Sequence, residues 1–348
     1  MADTSRLETM LNFVGANGTM RFDRYMDEHL FSRGRGFYDQ TVIIGKNGHF
    51  PTYAENPAFA YLVYLAVRSQ GLSGGDFLEI GGGSGHFKLF YLQHSPAARY
   101  ISVDASSSLA MCQANVGGET FVERAEKMHF ADRSINGVIF ANELLDEFSC
   151  RVFRIGNDGK HVHIEREGYV VERSGSLKFG YLDAERDDFL LMYESFLQRF
   201  RPDIGNDSAI SVSPLLPRAI SEMARVLGHG KIILMDYGFW GDPSRSRQKF
   251  YHDDLPFFTL DGQYRSLGEA LKDPYGTDIT HLVDFEFARW IAESMGLPAK
   301  LWSIGDYFLK FSKVPRGDIG ILNRPDMAES IADLTGSTSE VVLEISKL

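Results

Sequence analysis

Short apolar runs alternate along this chain with stretches of helical period. Asp76–Ile80 reads Asp-Phe-Leu-Glu-Ile and Gly137–Ala141 reads Gly-Val-Ile-Phe-Ala; runs this brief, bounded by turn residues, predict strands buried on both faces of a sheet. Tyr100–Asp104, Lys231–Asp236 and Lys300–Ile304 repeat the pattern, and Phe121–Glu126 predicts a further strand with Glu126 at its exit. Met20–Leu30 sets Phe22, Tyr25, Met26 and Leu30 at helical spacing. Phe59–Val67 continues a helix opened by Asn56-Pro57, Pro214–Leu227 predicts a helix stopped by Gly228 and Gly230, and Phe285–Met295 another. From Arg151 to Tyr181 the period shortens to that of antiparallel strands, separated by Asn-Asp-Gly and Ser-Gly turns.

Strands alternating with helices predict an α/β fold with a mostly parallel sheet. The expected organisation is an N-terminal helical region over 1–70, the first half of the core over 71–150 and an inserted meander and helix over 151–205. The second half of the core follows over 206–240, then an insertion over 241–280 and C-terminal elements and a tail over 281–348. From Arg316 onward no period is readable, and there are no internal repeats.

The first apolar run leads straight into glycines, so that Glu79 is followed by Gly81, Gly83 and Gly85. A backbone bare of side chains lets a large cofactor lie against the carboxyl end of a strand and the first turn of the next helix. The dinucleotide fingerprint Gly-x-Gly-x-x-Gly would need glycine where the chain has His86, so the spacing points to S-adenosyl-L-methionine and not NAD. Asp104, ending the next strand, is the expected acceptor for the ribose hydroxyls, and Asn142 is expected to face the same crevice from the end of the Gly137–Ala141 run. Glu126 stands where an acidic side chain meets an adenine edge, although a solvated loop carboxylate reads the same. A tight turn holding no ligand would also use these glycines; the pairing with Asp104 favours the cofactor. The expected fold is thus a class I, Rossmann-like methyltransferase sheet with an N-terminal helical region and an inserted substrate lobe.

Composition narrows the partners. A formal charge of -11 with no basic tract argues against nucleic acid and suits a cationic substrate. No apolar run approaches the ~18 residues of a membrane span. Met1–Thr19 has neither a basic start nor a continuous apolar stretch, so no leader is expected and the cytoplasm is the default location. The two cysteines, Cys112 and Cys150, are expected as free thiols. His161 and His163 share a strand face but have no third ligand at suitable spacing, so no metal is expected. Phe257, Phe258 and Tyr264 read as core or lid packing.

Methyl transfer from a sulfonium needs little acid–base help and depends on holding the nucleophile in line. A guanidinium acceptor is a permanent flat cation with five donors, so a site for it needs paired carboxylates. Glu143, Asp146 and Glu147 follow the Gly137–Ala141 strand at a spacing that would set them on one helical turn. An ordinary solvated helix start would favour acids there as well. Thr280 and His281 could add an acceptor or orient Glu143, though a packed or surface histidine is the plainer reading of His281.

Several motifs in order resemble the MidA-like family of S-adenosylmethionine-dependent methyltransferases, which includes the mitochondrial complex I assembly arginine methyltransferase. They are Phe22-Asp-Arg-Tyr-Met-Asp, Gly34-Arg-Gly-Phe-Tyr, Gly45-Lys-Asn-Gly-His-Phe-Pro-Thr, Leu78-Glu-Ile-Gly-Gly-Gly-Ser-Gly, Asn142-Glu-Leu-Leu-Asp, Met235-Asp-Tyr-Gly and Asp278-Ile-Thr-His-Leu-Val-Asp-Phe. The resemblance covers residues 20 to 310 and implies arginine N-methylation. It implies Glu143, Asp146, Glu147 and His281 as catalytic residues and Thr52, Glu55, Asp278 and Thr280 on the acceptor side. Departures fall where the acceptor would come in: His49 replaces an acidic residue, Thr52-Tyr-Ala-Glu55 replaces Thr-Ala-Pro-Glu, and Arg265–Leu271 is a shortened segment. They tilt the expected acceptor from protein-bound toward free arginine. N- or O-methylation of another small metabolite, or a non-catalytic assembly factor that binds the cofactor, are the alternatives.

Overall fold

A computed structural model describes residues 4–40, 52–95, 99–240, 257–260, 264–313, 325–337 and 340–347. The chain divides into two units, one of residues 41–145, 216–238 and 288–348, the other of residues 1–40, 146–215 and 239–287.

The first unit is built on seven strands: β1 Asp76–Ile80, β2 Arg99–Asp104, β3 Glu119–Val122, β4 Ile135–Asn142, β5 Leu227–Phe239, β6 Ala299–Ser303 and β7 Glu340–Lys347, in spatial order β3-β2-β1-β4-β5-β7-β6. Strands β3 through β5 are mutually parallel, and β7 runs antiparallel to both β5 and β6. This is the class I methyltransferase order. β1 is buried along four of its five residues, which is why Phe77, Leu78 and Ile80 fall on both faces and do not alternate with exposed residues. The helix Pro57–Ser69 starts where expected: Asn56 accepts from the Ala58 amide, and proline occupies the first turn. It packs with the helices His86–His94 and Ile304–Phe311 over an aromatic core in which Phe77 lies 4.2 Å from Tyr91 and Phe87 lies 4.8 Å from Phe140.

Three expectations need correction in this unit. The third strand ends at Val122, not Glu126, and Glu126 lies in the turn beyond it, paired with Arg124 at 2.7 Å. Gly228 and Gly230 do not stop a helix but lie inside β5, because the helix gives way to strand at Leu227. A Cβ on Gly230 would collide with the Gly137 carbonyl, so glycine there permits close approach of β5 to β4. The tail that gave no period contains β7, a strand buried on both faces and inserted between β5 and the edge strand β6.

The second unit carries a five-stranded antiparallel sheet of Thr19–Arg21, Arg151–Asn157, Val162–Arg173, Ser176–Asp183 and Ala209–Val212. Ser174 and Gly175, both at positive φ, form the two-residue hairpin turn between Arg173 and Ser176, as the Ser-Gly signal implied. The buried Arg151 guanidinium is held by Glu167 at 2.6 and 2.8 Å and by Asp187 at 2.7 and 2.8 Å. A small sheet pairs Phe257–Leu260 with Tyr264–Arg265 and with Asp278–His281. His49, most of the Gly45–Thr52 motif and residues 241–256 and 261–263 of the expected 241–280 insertion lie outside the described residues, as do the side chains of Phe257, Phe258 and Tyr264. No described helix is long and apolar enough to cross a membrane. Cys112 is exposed and Cys150 buried, both free.

Candidate active site

The strand order fixes where a ligand belongs. From β1 the chain moves outward through β2 and β3, then returns to the other side of β1 as β4, so the crevice at the carboxyl ends of β1 and β4 is the topological switch point. Gly81–Gly85 follows β1, Asn142 ends β4 and Glu143 follows it.

Gly81, Gly83 and Gly85 all take positive φ, at 71°, 52° and 81°, which L side chains resist. The Gly81 amide donates to the Val103 carbonyl at 2.8 Å and so ties the turn to β2. A Cβ on Gly82 would sit 2.6 Å from Glu79 Oε2 and 3.0 Å from Gln113 Oε1, so the underside of the turn is already filled by polar side chains. Glu79 is 3 % exposed and accepts from Tyr100 Oη at 2.9 Å. Asp104 is 7 % exposed; its Oδ1 accepts from the Ser106 amide at 2.9 Å and its Oδ2 from Gln113 Nε2 at 2.7 Å. Asn142 Nδ2 and Gln113 Oε1 are buried without a hydrogen-bond partner among the described residues. A bare turn flanked by orphaned polar atoms and a buried carboxylate fits an adenosyl cofactor. Glu79, the turn, Asp104 and Asn142 would hold it.

Glu143 sits at φ 48° immediately after β4. Residues 143–147 form bends and a turn, not the helical turn that would have set three acids on one face. The left-handed φ of Glu143 takes the chain out of the helical region, and Asp236 on β5 holds the turn: its Oδ2 accepts the amides of Leu144 at 3.0 Å and Leu145 at 2.7 Å, and its Oδ1 that of Tyr237 at 2.7 Å. Removing the carboxylate in Asp236→Ala takes this acceptor from three backbone donors, that of Leu145 in a fully buried bond, and should destabilise the fold by on the order of 3 kcal/mol, read by urea unfolding. The Glu143 carboxylate accepts from the Tyr53 amide at 3.3 Å and from the Thr52 hydroxyl. Glu55, on the short helix that Thr52 caps, pairs with His86 at 3.4 Å, and His86 with Ser84 Oγ at 2.7 Å. Within this unit, then, Thr52, Glu55 and Glu143 gather beside the glycine turn, and Leu144 packs where a Gly81 side chain would go.

The other expected residues belong to the second unit. There Tyr38 Oη donates to Glu147 Oε1 at 2.6 Å and hydrogen-bonds Asp278, with Asp146 close enough to raise its pKa. Asp278 and Thr280 share one strand face, both buried, and neither Asp278 Oδ1 nor Thr280 Oγ1 has a partner among the described residues. The His281 amide donates to the Asp146 carbonyl at 3.0 Å, and its ring contacts the Leu282 carbonyl at 3.1 Å. Motif reading missed Tyr38, Tyr53, Gln113 and Asp236. Gln113 carried no signal, whereas Tyr38 ends Gly-Arg-Gly-Phe-Tyr, Tyr53 stands in Thr-Tyr-Ala-Glu and Asp236 in Met-Asp-Tyr-Gly.

Burial raises Glu79 and Glu143 to about 7 and Asp104 to about 6. Unfolded carboxylates titrate near about 4, so the folded chain holds these protons more tightly and their contribution to stability is lost as pH rises through 6 to 7. Asp187 and Glu222, which are lowered instead, weaken the fold only at more acid pH. The melting temperature of the ligand-free protein should therefore fall between about pH 5 and pH 8. A flat or rising curve in scanning fluorimetry at constant ionic strength would contradict this.

Comparisons with known proteins bear on this geometry. The family model Methyltransf_28, described as "Putative S-adenosyl-L-methionine-dependent methyltransferase", matches residues 62–301. A search of curated proteins found no match. Among solved structures, an uncharacterised COG1565 superfamily protein from Burkholderia thailandensis has a TM-score of 0.74 at 19% identity, covering 99% of this chain and 92% of that one. The plantazolicin methyltransferase, solved with S-adenosyl-L-homocysteine, has a TM-score of 0.43 at 10% identity, covering 98% and 99%. The bare turn after β1, the carboxylate ending β2 and the match over 62–301 agree: this chain belongs to the Methyltransf_28 family of S-adenosyl-L-methionine-dependent methyltransferases.

Proposed function

We propose that the chain methylates a guanidino nitrogen of arginine, with free arginine favoured over arginine in a protein. The observation that carries this reading is the half-buried Glu143 carboxylate, placed beside the glycine turn in the same unit and surrounded by negative charge from Asp236 and Glu340. Such a field attracts a cation and repels an anionic acceptor. The cofactor, when bound, supplies a methyl carbon activated by its sulfonium. Glu143 would grip two N–H groups of the acceptor and draw its positive charge toward the nitrogens that do not react. With a pKa raised to about 7, its carboxylate is also suited to take the proton that the methylated nitrogen releases. In the other unit, the acids around Tyr38 offer chemistry equally suited to a cation. The departures at Thr52–Glu55 and Arg265–Leu271, set against the MidA-like pattern, favour the small molecule.

The test supplies methyl-labelled S-adenosyl-L-methionine with free arginine and, separately, with an arginine-rich protein extract. Label on free arginine supports the reading in full. Label on protein alone moves the acceptor to protein-bound arginine, and label on neither acceptor while another amine is methylated discards arginine.

A further inference from the structure

No motif gives Gln113 a role, yet its side chain joins two parts of the cofactor site. It lies on the helix Ser107–Val116 and is 0 % exposed. Its Nε2 donates to Asp104 Oδ2 at 2.7 Å and to the Gly83 carbonyl at 3.0 Å, so both amide protons are engaged. That fixes the orientation of the amide, because the reverse would set its oxygen against a carboxylate and a carbonyl. Oε1 is consequently turned away from both, buried, and without a partner among the described residues. A buried amide oxygen is costly to leave without a donor, and in native structures such an atom calls for an explanation. The backbone is held as firmly. The Gln113 carbonyl accepts from Lys88 Nζ at 3.2 Å, and Lys88, wholly buried, also donates to Ser102 Oγ at 2.9 Å and Thr120 Oγ1 at 3.2 Å.

We infer that Gln113 is a cofactor-positioning residue that sets Asp104 and Gly83 for the ribose end of S-adenosyl-L-methionine and presents Oε1 as a further acceptor for a hydroxyl donor there. Without it, Asp104 keeps backbone donors from Ser106 and Gly83 but loses its side-chain brace, so part of the binding energy goes into ordering the carboxylate. The inference rests on the cofactor assignment and is independent of which acceptor is methylated.

The test crosses a protein change with a ligand change. Gln113→Met keeps the length and removes the amide; Gln113→Glu keeps the shape and sets a second carboxylate against Asp104. Each is titrated calorimetrically with S-adenosyl-L-homocysteine and with its 2′,3′-dideoxy analogue. Both variants should raise the Kd for S-adenosyl-L-homocysteine by about tenfold to a hundredfold. The analogue, weak for every version of the protein, should lose no more than about threefold further, because the hydroxyls through which Gln113 acts are gone. Equal losses for both ligands, or an unchanged Kd for S-adenosyl-L-homocysteine, would overturn the role. If Gln113→Met does not fold, the isosteric Gln113→Glu decides alone. Failure of the wild-type chain to bind S-adenosyl-L-homocysteine would instead remove the cofactor assignment beneath the inference.

Discussion

Glu143→Gln will lower methyl transfer by at least about a hundredfold while leaving cofactor affinity within about twofold. Glutamine has the same shape and keeps an oxygen to accept from the Tyr53 amide, so the turn after β4 should survive the change. What disappears is the charge. A neutral amide cannot draw the positive charge of a guanidinium toward its distal nitrogens, and it cannot take up the proton the methylated nitrogen sheds. The wild-type rate should rise with pH through about 7 as Glu143 ionises, and the residual rate of the variant should lack that limb. Single-turnover kinetics with labelled cofactor give both readings. Unchanged turnover would remove Glu143 from the chemistry.

Asp104→Asn carries the largest expected effect on the cofactor itself. The carboxylate now accepts on both oxygens, from Ser106 on one and from Gln113 on the other. An asparagine must turn its NH2 toward one of these donors, so either orientation sets donor against donor. The ribose would also lose an anionic acceptor for its hydroxyls. With a penalty of about 1–3 kcal/mol for an unmet buried partner and a similar loss at the ribose, affinity for S-adenosyl-L-homocysteine should fall by about a hundredfold or more. Calorimetry reads the loss, and far-UV circular dichroism checks that the fold persists. A Kd within about threefold of wild type would mean that Asp104 does not meet the cofactor.

The parts of this protein that were legible in the sequence are those fixed by local physics. Phe77, Leu78 and Ile80 of β1 and Val138–Ala141 of β4 are buried on both faces of the sheet and so read as short apolar runs, not as alternation. The helix at Pro57 announces itself through its asparagine cap, and the glycine turn needs positive φ at three positions. Other parts depend on contacts distant in sequence, which no window can reveal. Glu143–Glu147 has the spacing of a helical turn, but Glu143 takes a left-handed φ, and Asp236, ninety-odd residues later, holds the Leu144 and Leu145 amides in the turn that results. Gly228 and Gly230 look like helix stops because close approaches, of Gly228 to Arg133 and Asn136 and of Gly230 to Gly137, leave the same residue choice as a helix end. β7 inserts between two strands that precede it by a long stretch of chain, and its Glu344 pairs with Lys231 at 2.9 Å across the sheet. Gln113 is one polar residue on a helix of weak amphipathic pattern, and only the fold reveals that it faces Asp104.

The claim on which everything else stands is that the cofactor rests on Gly81–Gly85 beside Asp104. Hydrogen exchange of the backbone amides, followed by mass spectrometry with and without saturating S-adenosyl-L-homocysteine, tests it most directly. Binding should slow exchange in the peptide spanning Gly81–Gly85 and in the one containing Asp104 and Ser106. Saturated binding that leaves both peptides exchanging at their ligand-free rates would contradict the account.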